Sequence, residues 1–241
     1  MTVSDDPIAL SAVDLPVDGA QLAAFIAAKL CHDFISPAGA VMSGLDLLDD
    51  PGAQDMRDDA LGLIRQSAAK MVALVHFARV AFGAATSSEQ FSSRDLLGLV
   101  SALTEGGRAV LDWRVGEQVF TKLQARALIN LAYLTVSALP MGGTAVITAR
   151  REDGRLVLGG AAEGARARLK PEAVVGLKGE RLTEGLAGQW IQPYWLWLTV
   201  REAGGRLDLA AEEGRVALMA RLPETHEQSP FDQKPSVNPH G

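Results

Sequence analysis

A histidine, an acid and a proline stand close together in the string CHDFISP: His32, Asp33 directly after it, and Pro37 five residues on. These residue types can carry nucleophilic chemistry. An imidazole that donates one ring N–H to a carboxylate presents the lone pair of its other nitrogen, and that nitrogen can attack phosphorus. Proline inside a helix costs roughly 3 kcal/mol and leaves the carbonyl four residues earlier, here that of Asp33, without its donor. Such a cost beside a histidine marks a site rather than an ordinary stretch of helix.

The elements that must position these residues are two long helices. Apolar spacing predicts helix one over Gly19 to Leu48, with Asp18 as N-cap, and helix two over Gln54 to Phe82. The connection DDPGAQ is short, so the two should run antiparallel. At about 100° per residue, with Leu22 as zero, Ile26, Leu30, Phe34, Val41, Leu45 and Leu48 fall between roughly 0° and 140°, and His32 at roughly 280°. His32 is therefore expected on the solvent side. Ala28, Gly39 and Ser43 flank it at helical spacing and Ser36 lies close by, so its surroundings are bare and another helix could approach closely. One hairpin buries little apolar surface. Two hairpins packed as a four-helix bundle bury more, and a homodimer is the economical arrangement.

The rest of the chain reads as α+β. Helices are expected at about 93–106, Lys122 to Leu139 and 187–203, with strands near Val119 and around 144–150, 155–159, 206–210 and 215–221. The last two should form a hairpin with Gly214 in its turn. The expected organisation is a flexible N-terminus over 1–17, the helical hairpin over 18–85, an α/β domain over 90–223, and a Pro-containing disordered tail over 224–241.

Composition narrows the partners. Residues 1–85 hold 11 Asp/Glu against 5 Lys/Arg, while residues 86–241 hold 18 of each, so the net charge of -6 lies in the first third. That argues against nucleic acid as the partner of this segment. No apolar run reaches the ~18 residues of a membrane span. The acidic N-terminus lacks the features of a signal peptide, and the single cysteine, Cys31, can form no internal disulfide. Together these point to the cytoplasm and away from the membrane.

CHDFISP resembles the H-box of bacterial sensor histidine kinases, where histidine, acid and proline recur at this spacing on the first helix of a dimeric hairpin. Carried over, His32 is the phosphoacceptor and Asp33 orients it or assists its deprotonation. The helix RALINLAYLTVSALPMGG resembles the N-box helix of the kinase ATP-binding (Bergerat) fold, with Asn130 at its leading asparagine. WLTVREAGGRLDLAAEEGRVALMARLP resembles the closing helix and terminal hairpin of that fold. The resemblance implies a nucleotide site that has been lost. Leu134 stands where the metal-binding asparagine would be, GGAAEGARA lacks the family's aspartate, and Trp190 and Gln192 occupy positions of the glycine loop. Bulky side chains there cannot close backbone amides on phosphate.

An H-box hairpin followed by such a degenerate domain is similar to alphaproteobacterial histidine phosphotransferases of the ChpT type, as are LCHDFISPAGAVMSGLDLLDD and the GLAGQW region. That likeness implies a homodimer that relays phosphate from the receiver domain of a hybrid histidine kinase to receiver domains of response regulators, among them a cell-cycle master regulator. Mg²⁺ is expected from the receiver, with no cofactor or metal bound by this chain. Receiver docking is expected on Ala28, Ser36, Gly39 and Ser43.

Other features read as structural. His76 is expected on the bundle surface or packed, and Cys31 as a small, half-buried thiol. Trp190, Trp195 and Trp197 should pack the third helix against its sheet or a domain interface. Asp46, Asp49, Asp50, Asp55, Asp58 and Asp59 read as a solvated bundle end. Two rival functions are a phosphatase-type or active histidine kinase, which would retain nucleotide binding, and a non-catalytic dimeric adaptor.

Overall fold

The computed structural model describes residues 17–83 and 89–224; the expectations for 1–16, 84–88 and 225–241 lie outside the described residues. Asp18 opens the first helix, α1 (Gly19–Asp49), its carboxylate accepting from the backbone N–H of Gln21 at 2.7 Å. DDPGAQ does not simply start helix two. Pro51–Met56 forms a 3-10 turn instead, capped by Asp50, whose carboxylate accepts from Gly52 N–H, and α2 (Arg57–Ala81) follows. The two helices pack closely at Gly44, where an added Cβ would sit 2.6 Å from Ile64 Cγ1 and 3.1 Å from the carbonyl of buried Ala60.

Short strand β1 (Gln90–Ser92) leads through a capping box of Ser92 and Asp95 into α3 (Ser93–Thr104). Then come β2 (Ala109–Val115), β3 (Val119–Thr121), α4 (Lys122–Ser137), β4 (Gly143–Glu152), β5 (Arg155–Glu163), α5 (Pro171–Leu177), α6 (Ala187–Glu202), β6 (Arg206–Glu212) and β7 (Arg215–Pro223). Strands β1 and β3 pair antiparallel. The main sheet runs β2-β4-β5-β7-β6, with β2 parallel to β4 and the other pairs antiparallel. The fold is α+β: a helical N-terminal part, then a five-stranded sheet. Glu212 pairs with Arg215, which places Gly214 (φ 74°) in the turn as expected. The β4–β5 hairpin turns through Asp153 and Gly154, both left-handed (φ 50° and 69°), as a two-residue turn of primed type requires.

Alternate residues of β4 (Ala145, Ile147, Ala149) and β7 (Val216, Leu218, Ala220, Leu222) are buried against the helices, as a sheet covered on one face demands. Helix α4 lies at the centre of this core, with Ala125, Ala127, Leu128, Ile129, Leu131 and Ala132 fully buried.

Three expectations need correction. The apolar arc of α1 does not serve the hairpin alone: Leu22, Phe25 and Ile26 pack on α6, where the Phe25 ring meets Trp190 edge to face at 5.7 Å. The large apolar side chains left exposed on the hairpin are Ile35, Met42 and Leu45 on α1, Met56 at the end of the 3-10 turn, and Val72 and Val75 on α2. Cys31 is exposed, not half-buried, because it falls on the side of α1 away from both α2 and α6. Strands β1 and β2 and helix α5 were not expected at all.

Candidate functional site

His32 lies near the middle of α1 with its side chain 85% exposed, on the solvent side where helical spacing puts it. Ala28, Ser36, Gly39 and Ser43 are exposed too, and a Cβ built on Gly39 would meet nothing within 4 Å. Asp33 turns the other way, inward and partly covered. Its Oδ1 stands 3.4 Å from His32 Nδ1, longer than a well-formed N–H···O bond, and its Oδ2 is in direct contact with the ammonium of Lys29. The carboxylate thus faces the ring with one oxygen and a lysine with the other, and His32 Nε2 is left toward solvent.

Lys29 was not singled out from the sequence. It is only 8% exposed, and its Nζ lies 5.9 Å from the centroid of the Tyr133 ring on α4. Lys29, His32 and Asp33 form one wall of a cleft of about 460 Å³ between α1 and the sheet-bearing part. Its other walls come from Tyr133, Leu134 and Ser137 on α4, from Arg168 to Lys170, and from the first turns of α6. A histidine on an isolated hairpin would border no such cleft. Docking of α1 on α6 creates it, a long-range effect that local spacing cannot announce.

The residues expected at the lost nucleotide loop are inside α6. Trp190 is 1% exposed and its indole N–H donates to the Glu180 carbonyl at 2.9 Å. Gln192 is 3% exposed and its amide N–H donates to Asn130 Oδ1 at 3.1 Å. Asn130 in turn donates to the carbonyls of Ala81 at 3.2 Å and Arg126 at 2.9 Å. Trp195 Nε1 also donates to the Ala81 carbonyl, at 2.6 Å, and the Arg126 guanidinium donates to that of Gly83 while lying 5.2 Å from the Trp195 ring centroid. The last carbonyls of a helix have no partners within it and carry partial negative charge. Here Asn130 of α4 and Trp195 of α6 both donate to the carbonyl of Ala81, the last residue of α2, and Arg126 of α4 to that of Gly83 just beyond the helix, so the hairpin is fastened to the core beside the cleft. Trp190 packs on Phe25 of α1, Trp195 on the end of α2, and Trp197 against Gly179 just after α5, so the three tryptophans serve packing.

His76 is exposed on α2. The acids at the hairpin turn are all exposed, Asp50 capping the 3-10 turn and Asp58 and Asp59 standing in the first turn of α2, where a helix N-terminus favours negative charge. Among the described residues no helix is long and apolar enough to cross a membrane.

The model of the histidine phosphotransferase C-terminal domain matches residues 93–215, from the start of α3 to the start of β7. The protein phosphotransferase ChpT of Brucella abortus (strain 2308) is 30% identical over 208 residues, covering 85% of this chain and 94% of that protein. The chain belongs to the histidine phosphotransferase family. The phosphotransferase match runs through the hairpin as well. A bacterial phosphotransferase solved at 1.7 Å superposes with a TM-score of 0.75 at 27% identity, covering 86% of this chain and 99% of the other. A histidine kinase domain from Erythrobacter litoralis is more distant, with a TM-score of 0.44 at 11% identity over 78% of this chain and 95% of the other.

Proposed function

We propose that this phosphotransferase carries phosphoryl groups on His32 between receiver domains. The observation that carries the reading is the His32 imidazole, exposed on a small-residue helix face with a carboxylate 3.4 Å from Nδ1 and no hydrogen-bond partner at Nε2 among the described residues. In the forward step Nε2 attacks the phosphorus of a receiver's aspartyl phosphate. A P–N bond forms, the P–O bond to the aspartate breaks, and the freed carboxylate leaves with its electron pair. A second receiver's aspartate then attacks the phosphoramidate, and the P–N bond breaks. Asp33 opposes the positive charge that develops on the ring. The receiver supplies the Mg²⁺, because in-line transfer depends on positioning and charge neutralisation. The donor is the receiver domain of a hybrid histidine kinase and the acceptors are response-regulator receivers, the setting being cytoplasmic and the pathway one that controls the cell cycle.

The hairpin mediates a homodimer. Ile35, Met42 and Leu45 follow one another at seven and three residues along α1, and such exposed apolar lines need cover. Nucleotide is no part of this reading: Leu134 offers no oxygen to a metal, and the amide of Gln192 is taken up by Asn130. Calorimetric titration with Mg-ATP is expected to give no heat of binding; micromolar affinity would favour a kinase instead.

The central test is incubation with a radiolabelled, phosphorylated receiver domain. Wild type is expected to take the label and His32→Ala to take none, with unchanged circular dichroism. Label retained on the mutant would move the acceptor to another residue.

A further inference from the structure

Lys29 is among the few charged side chains the fold buries. Lysine is almost never enclosed without a partner, and here the partner is Asp33, one turn further along the same helix. Helix stability alone does not account for the arrangement. A basic residue four positions before an acid is the less favourable order for an i,i+4 pair, and such pairs contribute little even when well oriented.

The geometry gives the pair another use. Asp33 divides its two oxygens, Oδ2 to the lysine and Oδ1 toward His32 Nδ1. A carboxylate rotates with little preference about its last torsion. With Oδ2 held, the plane of the group is fixed and Oδ1 is the oxygen that remains for the ring. The lysine is itself confined, its ammonium near the Tyr133 ring and its stem covered by the body of the protein. His32, by contrast, has Asp33 as its single polar side-chain partner among the described residues. Whatever orients Asp33 therefore bears on the orientation of the ring.

We infer that Lys29 is a positioning residue for phosphoryl transfer: by holding Asp33, it keeps the His32 ring as the Nδ1–H tautomer with the Nε2 lone pair outward. The inference rests on His32 being the phosphoacceptor. Asp33 is the intermediary, so Lys29 should matter only while Asp33 is present.

The test uses the full chain with Lys29→Met, which retains the length of the stem, Lys29→Arg, which retains the charge, Asp33→Ala, and the Lys29→Met/Asp33→Ala pair. Nitrogen-15 NMR of the neutral, unphosphorylated His32 ring should show mainly the Nδ1–H tautomer in wild type and Lys29→Arg. In Lys29→Met it should shift toward the Nε2–H form. Phosphoryl uptake from a phosphorylated receiver should slow on the order of tenfold to a hundredfold in Lys29→Met and recover in Lys29→Arg. The double variant should be no slower than Asp33→Ala, because the two residues act in series. An unchanged tautomer in folded Lys29→Met, or losses that multiply in the double variant, would overturn the role of Lys29. If Lys29→Met does not fold, the tautomer in Asp33→Ala decides: a ring that remains Nδ1–H there removes the intermediary. Failure of wild type to accept label would instead sink His32 as phosphoacceptor, while the NMR comparison still judges whether Lys29 sets the ring.

Discussion

Gln192, in the second turn of α6, donates its side-chain N–H to Asn130 Oδ1 at the heart of α4, over 3.1 Å and with both residues almost fully buried. Asn130 spends its own amide protons on the carbonyls of Ala81 and Arg126. The Asn130→Ala variant therefore strips a partner from Gln192 and weakens the hold on the end of α2. Each buried polar group left without a partner costs about 1–3 kcal/mol. A loss of about 2–3 kcal/mol is expected, which lowers Tm by roughly 4–12 °C in a chain of this size. A thermal melt within 2 °C of wild type, below the roughly 4 °C expected here, would show that the network is dispensable.

Two glycines of α1 should respond oppositely. Gly44 faces α2 with no room for a Cβ, and Gly39 faces open space. Gly39→Ala should stabilise by up to about 1 kcal/mol through helix propensity. Gly44→Val must push Ile64 and the Ala60 backbone away and should destabilise by about 1–3 kcal/mol. Denaturant midpoints of the two variants check the contrast.

Gly39→Arg tests the docking face. A long charged side chain seven residues beyond His32 has space in the free protein, and arginine is a good helix former. It should leave the melt unchanged or raise it, yet block receiver binding and phosphoryl uptake, because helices that pack at ~8–10 Å leave no room for it. Normal transfer kinetics would remove this face from the mechanism.

Met42→Glu addresses assembly. Met42 is 58% exposed on the apolar line of α1. In a four-helix bundle of two chains the charge would be buried without a partner, a cost of several kcal/mol. Sedimentation should show a wild-type dimer and a variant near the 25.5 kDa of one chain. Wild type sedimenting as a monomer at micromolar concentration would defeat the bundle.

What was legible in the sequence follows from the range of the forces involved. Asp18 as a cap, the exposure of His32 and the turn at Gly214 depend on neighbours within a few residues, and spacing reveals them. Strand β2 was hidden because AVLDWRV sets Asp112 and Arg114 among its apolar residues, as an edge strand with a half-exposed face can. Helix α5 has only seven residues, too few for periodicity to register. The packing of Leu22, Phe25 and Ile26 on α6, and with it the burial of Lys29, joins segments more than a hundred residues apart. A stripe of apolar residues says that something covers it, not what.

The fastening of the Ala81 and Gly83 carbonyls by Asn130, Trp195 and Arg126 also relieves the covalent chain of a task. Registration between the hairpin and the sheet-bearing part is written into complementary surfaces, not into the length of the peptide that crosses between them. Extra residues inserted after Gly83 would lower the effective concentration of one part for the other only slowly, as a weak power of the added length. The crossing is thus a place where evolution or an engineer can splice without redrawing the cleft beside His32.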